Sequence, residues 1–255
     1  MSARACCTAW YWVKRRRWCA NQRRKRHDLR HARSLINCEG DGRKLTRTEL
    51  DGSVSILIDG HEGKGLDRPN RPNNAICRSD GTVFFTDPAL RVPVAERDIG
   101  EGAVYRLSPD GSSHLVAWCE YPNGLALSPD ENTLYVANTR WTAYIHAITL
   151  DAASDMVRRR VFADMSSDIP QGVPDGMKVD AAGRVFCTGP GGVWVFAPDG
   201  TRIGVIEIPE VTANLAFGGS DLRTLFLTSS TSIYTLRVKT PGQPHPWYRL
   251  YRRSS

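Results

Sequence analysis

A strand-forming phrase returns at near-regular intervals through most of this 255-residue chain, and its spacing dictates what the chain can fold into. The copies are Arg33–Cys38, Gly81–Thr86, Asn132–Ala137, Gly183–Thr188 and Arg223–Thr228, so successive starts lie 48, 51, 51 and 40 residues apart. The copies are runs rich in β-branched, leucine and aromatic residues, the composition of a strand. Between copies lie further short runs, such as Val54–Ile58 after Asp51-Gly52 and Val193–Phe196 before Asp199-Gly200. Glycine supplies the positive φ that a tight hairpin needs. No stretch carries a persuasive 3.6-residue period. A unit of about four strands every 40–50 residues is the pattern of propeller blades. The expected fold is therefore all-β, a β-propeller with about five blades recognisable. A β-sandwich with chance similarity among its strands is the alternative.

A second element precedes these strands at a fixed offset. It reads Pro72-Asn73-Asn74, Pro122-Asn123-Gly124, Pro174-Asp175-Gly176 and Ala213-Asn214-Leu215. Each polar residue leads the strand that would line a central channel. Amide and carboxylate oxygens converging there suit a hard divalent cation. The same residues also serve turns, because Asn and Asp tolerate left-handed backbone and cap local bends.

Charge sorts the chain into segments. Overall there are 34 Lys and Arg against 27 Asp and Glu, a net charge of +7. Eleven of those bases and one acid fall in the first 33 residues, which leaves 23 bases and 26 acids in the rest. The mildly acidic body thus carries a basic front segment, 1–32, read as irregular. Its apolar run, Ala5–Val13, precedes Lys14–Arg17, the reverse of a secretory signal. Seven scattered cysteines with no CxxC pair argue against a disulfide framework, and Cys6, Cys7 and Cys19 lack a zinc-site spacing. These features point to a reducing, cytoplasmic setting. No apolar run approaches the length of a membrane span.

Neither a G-x-S-x-G elbow nor a plausible serine triad is present; Gly111-Ser112-Ser113-His114 reads as a hairpin turn. His61 and Lys64 read as an exposed Gly-rich loop, and His245 and Trp247 as tail.

The phrases Arg71–Asn74, Phe85-Thr-Asp-Pro88, Gly102–Leu107, Tyr121–Asp130, Gly172–Met177, Gly189–Phe196 and Ala213–Gly219 occur in an order that resembles one family. That family is the senescence-marker-protein/gluconolactonase/luciferin-regenerating-enzyme group of six-bladed propellers, and bacterial sugar lactonases look closest. The resemblance covers residues 33–240 and leaves 241–255 as a C-terminal tail. It implies metal-dependent hydrolysis of a sugar lactone, a small-molecule substrate. By the same resemblance Asn123, Asp175 and Asn73 are metal ligands or neighbours, Arg71 and Asn73 contact substrate, and Asp175 is the catalytic general base. The implied ion is calcium, with zinc, magnesium or manganese as alternatives. A propeller esterase or phosphotriesterase is the related alternative. A non-catalytic propeller with a basic nucleic-acid-binding arm is the alternative from another class; nucleic acid and membrane are not the expected partners.

Two departures from the family stand out. Asn74 occupies a position where the family has Asp, which removes a negative charge. Residues 1–32 carry no counterpart of the family's first blade or its Glu-Gly-Pro ligand phrase. The expectation is an incomplete propeller whose metal site is short of one carboxylate, with weakened activity.

Overall fold

Seven turns led by aspartate set the strand boundaries. Asp51, Asp80, Asp110, Asp130, Asp180, Asp199 and Asp221 each accept, through Oδ1, the backbone N–H two residues on. Six of them stand third in a turn closed by an i→i+3 backbone bond, as in Gly52 to Glu49 and Gly111 to Ser108. The residue after each of those six has positive φ: glycine at 52, 81, 111 and 200, but Glu131 and Leu222 in the other two. A type I turn followed by a left-handed residue matches the twist of the strands it joins.

The computed structural model describes residues 34–49, 51–60, 68–89, 92–97, 99–168 and 171–244. The basic segment 1–32, its three cysteines, His61, Lys64, His245 and Trp247 lie outside them. The described residues form eighteen strands and one short 3-10 turn, Val94–Glu96. They divide into two compact units, 34–121 and 122–244.

The first unit holds two sheets with strands in chain order. One comprises β1 (Leu35–Glu39), β2 (Lys44–Thr48) and β3 (Val54–Ile58); the other comprises β4 (Ala75–Cys77), β5 (Val83–Asp87), β6 (Ala103–Leu107) and β7 (Ser113–Trp118). Their apolar faces share a core that includes Ile36, Leu45, Phe85 and Tyr105. The second unit holds three sheets. They are β8 (Pro122–Leu127) to β11 (Met156–Asp164), β12 (Met177–Val179) to β15 (Arg202–Glu207), and β16 (Thr212–Gly218) to β18 (Ile233–Arg237). Two clusters lie between them, one around Met165, Met177 and Trp194, the other around Phe186, Phe217 and Leu225. Every pairing is antiparallel and joins neighbours in sequence.

Burial follows position in the sheet. All five residues of β5 and of β13 (Val185–Gly189) are buried, because both faces of these strands are covered. The last strands are open, with Val54, Val157, Ile203 and Ile233 exposed. The recurring phrase is β1, β5, β9 (Thr133–Asn138), β13 and β17 (Thr224–Ser229). The Ser112–His114 phrase is a hairpin feature, as read from sequence: the Ser112 hydroxyl donates to Asp110, and His114 lies 3.3 Å from that hydroxyl. None of the four described cysteines is in a disulfide. No helix of the described residues is long and apolar enough to cross a membrane.

Candidate functional site

In the second unit, consecutive sheets present Asn123, Asp175 and Asn214 beside one another. Asp175 precedes its strand, β12, by two residues, as the sequence suggested. Asn123 and Asn214 instead sit inside β8 and β16, where the pairing register shifts between Pro122 and Leu125 and between Thr212 and Asn214. A bulge of this kind bends the strand and re-aims a side chain out of the alternation.

Glycine makes the close approach. A Cβ on Gly124 would lie 1.9 Å from the Asp175 carbonyl oxygen, and one on Gly176 would lie 2.3 Å from Asn214 Oδ1. Neither glycine has positive φ, so the Asn-Gly and Asp-Gly phrases are required here by contact between sheets. Hydrogen bonds continue the chain of contacts. Asn123 Nδ2 donates to Thr139 Oγ1 at 3.0 Å, and that hydroxyl donates to the Pro174 carbonyl at 2.7 Å. The Gly176 N–H donates to the Ala213 carbonyl at 3.0 Å. With its nitrogen committed to Thr139, the buried Asn123 amide turns Oδ1 the opposite way.

These donors fit a hard cation. Asp175 supplies a carboxylate and Asn123 an amide oxygen. Asn214 Oδ1 accepts the Leu215 N–H. The nearby sulfur does not compete: burial, and then the charge of Asp175, push the Cys187 thiol far above its ordinary range, which keeps it protonated. Among the described residues no group of three or more His, Cys, Asp or Glu could hold a metal.

The first unit holds Arg71 and Asn73 on the segment leading into β4. Here side chains of the next strand position the backbone. Asp87 Oδ2 accepts the Asn70 N–H at 2.8 Å and Oδ1 accepts the Arg71 N–H at 2.6 Å. The Asn74 N–H donates to Thr86 Oγ1 at 3.0 Å, and the Asn73 N–H to the Thr86 carbonyl at 2.9 Å. Asp87 is wholly buried, and desolvation raises its pKa to about 6, against the lowering effect of the two N–H bonds. Asn73 Oδ1 is buried and accepts no hydrogen bond among the described residues. Such an oxygen is available for a hydroxyl or a cation. The Arg71 guanidinium is paired with Asp41 at 2.5 Å.

Sequence reasoning did not single out Thr139, Asp41 or Asp87 for these roles. Asp87 lies in the Phe85–Pro88 phrase, but its partners are 16 and 17 residues away.

Residues 25–231 match the family described as SMP-30/Gluconolactonase/LRE-like region. The chain is 38% identical over 200 residues to the gluconolactonase of Zymomonas mobilis, covering 74% of this chain and 55% of that protein. It is 31% identical over 204 residues to the pentonolactonase XacC of Haloferax volcanii, covering 76% and 66%. It thus spans a little over half of one curated relative and about two thirds of the other. A solved gluconolactonase structure from Xanthomonas campestris superposes with a TM-score of 0.70 at 36% identity, covering 82% of this chain and 69% of that one. The fold is accordingly that of an all-β propeller, with five blades among the described residues.

Proposed function

This chain belongs to the SMP-30/Gluconolactonase/LRE-like family, and we propose that it hydrolyses the cyclic ester of a sugar lactone. The observation that carries this reading is the nearness of Asn123 and Asp175, with Gly124 against the Asp175 carbonyl and Thr139 linking Asn123 to the Pro174 carbonyl. Similarity to a gluconolactonase and a pentonolactonase supports aldonolactones as the substrate class.

A lactone is neutral and its carbonyl is weakly electrophilic, so hydrolysis needs a base for the attacking water and stabilisation of the oxygen that becomes negative. Asp175 accepts a proton from the water as its oxygen bonds to the carbonyl carbon. Collapse of the tetrahedral adduct re-forms the carbonyl and breaks the ring C–O bond, and the departing oxygen takes the proton back from Asp175. The product is a hydroxy acid, ionised at neutral pH. Within the first unit, Arg71 and Asn73 are the proposed contacts for sugar hydroxyls, the guanidinium as donor and Asn73 Oδ1 as acceptor. Asn123 and Asp175 would hold a divalent cation, which when bound would supply Lewis-acid stabilisation of the developing oxyanion. Oxygen donors favour calcium or magnesium over zinc, which prefers nitrogen and sulfur.

The test is a panel of aldonolactones, an aryl ester and a phosphotriester offered to the full chain with calcium. The expected result is a clear preference in kcat/KM for one or more lactones. Turnover of the aryl ester or phosphotriester with lactones inert would contradict it.

A further inference from the structure

The turn between β1 and β2 grips the Arg71 segment at two points. Asp41 pairs with the guanidinium, while Arg43 reaches past it, donating from Nε to the Pro69 carbonyl at 2.8 Å and from Nη1 to the Glu96 carbonyl at 2.7 Å. Arg43 takes a left-handed backbone, φ 54°, to close this turn. Gly40 lies flat on the arginine stem, since a Cβ there would sit 3.0 Å from Arg71 Cγ. Asp87 fixes the Arg71 N–H from beneath. The arginine is therefore held at its backbone, stem and head before any ligand arrives. The two carboxylates differ in exposure: Asp87 is wholly buried, whereas the Asp41 side chain is 82% exposed and needed by no core contact.

We propose that Asp41 is a specificity-determining residue that balances the charge of Arg71, so that the site accepts a neutral sugar lactone and releases its anionic hydrolysis product. This rests on the lactone-hydrolase reading above, in which Arg71 binds substrate. A guanidinium donates hydrogen bonds to neutral hydroxyls whether or not a carboxylate sits beside it. Its attraction for a product carboxylate depends on net charge, and Asp41 cancels that charge within contact distance. Without Asp41, the aldonate would stay longer and compete with the next lactone.

The experiment compares the full chain with Asp41→Asn and Asp41→Ala. D-gluconate affinity is measured by titration calorimetry at low and high salt, and KM and kcat for the matching lactone are measured alongside. The variants should bind gluconate about threefold to fivefold more tightly at low salt, the scale of an exposed ion pair. High salt should shrink that gain, and the lactone KM should change less than the gluconate affinity does. Three results would overturn the assignment: unchanged gluconate affinity, a gain insensitive to salt, or equal changes in KM and gluconate affinity. No gluconate binding by any of the three proteins would also overturn it. Failure of the wild-type chain to hydrolyse any lactone would instead remove the activity, and the titration would still decide the role of Asp41. Asp41 is exposed, so unchanged melting temperatures should show that both variants fold.

Discussion

The two units bring a polar residue to the head of an inner strand by opposite means. In the second unit the work is done by missing side chains: Gly124 and Gly176 let the backbone of one sheet touch the next, so Asn123, Asp175 and Asn214 stand side by side. In the first unit the corresponding segment has Asn74 where the second has glycine, and it is zipped to β5 by Thr86 and the buried carboxylate of Asp87. Close contact between sheets positions the backbone without the help of a titrating group but tolerates no added atom. A carboxylate that organises a loop tolerates sequence change in the loop and makes it dependent on protonation.

The largest effect should separate chemistry from scaffold. Asp175→Asn keeps the size of the side chain but removes the base, so kcat for an aldonolactone should fall by about 10²- to 10⁴-fold with the melting temperature little changed. An equal loss of stability and rate would place Asp175 in the scaffold instead.

Gly124→Ala comes next. The new methyl meets backbone, which cannot rotate away, so the second unit should lose about 3 kcal/mol of stability in urea unfolding. A neutral substitution would break the comparison between the units, because close approach would no longer explain the glycine.

Asp87→Asn sharpens the same comparison from the other side. The carboxyl has a folded pKa of about 6 against 3.8 unfolded, so the native state holds its proton more tightly. Its contribution is fully present below about pH 4 and is lost as pH rises through about 6. The wild type should therefore shed about 2–3 kcal/mol across that window relative to Asp87→Asn, which has no such titration. Identical pH dependences for the two proteins would refute the buried, desolvated carboxyl.

The smallest effect is at Glu210, which accepts hydrogen bonds from Ser232, Thr231 and Tyr234. They lower its pKa to about 2, so its contribution is present above the unfolded value of 4.5 and fades as pH falls toward 2. Glu210→Gln should lower the melting temperature slightly at pH 7 and leave it unchanged near pH 2. A constant difference at both pH values would contradict this.

The strands and turns were legible because their signals are local. An Asp-Gly turn and an alternating run announce themselves within ten residues, and β5, β9, β13 and β17 all fall within or beside the repeated phrase. Positive φ at Glu131 and Leu222 was less visible, since the Asp turn imposes it on residues that do not prefer it. Asn123 and Asp175 were found from recurrence, but the bulge that puts Asn123 inside β8 depends on pairing with β9. The clamp on Arg71 was invisible. It joins Asp41 and Asp87 to a loop 30 and 16 residues away, and neither residue type nor spacing along the chain encodes that meeting.

The central claim is that Asn123 and Asp175 form a cation-assisted site for lactone hydrolysis. Its most direct test is aldonolactone turnover by chelator-treated protein as calcium is returned, in wild type, Asn123→Ala and Asp175→Asn. The account predicts saturable recovery in the wild type, recovery only at much higher calcium in Asn123→Ala, and none in Asp175→Asn. Full turnover in chelator, or equal recovery in all three, would contradict it.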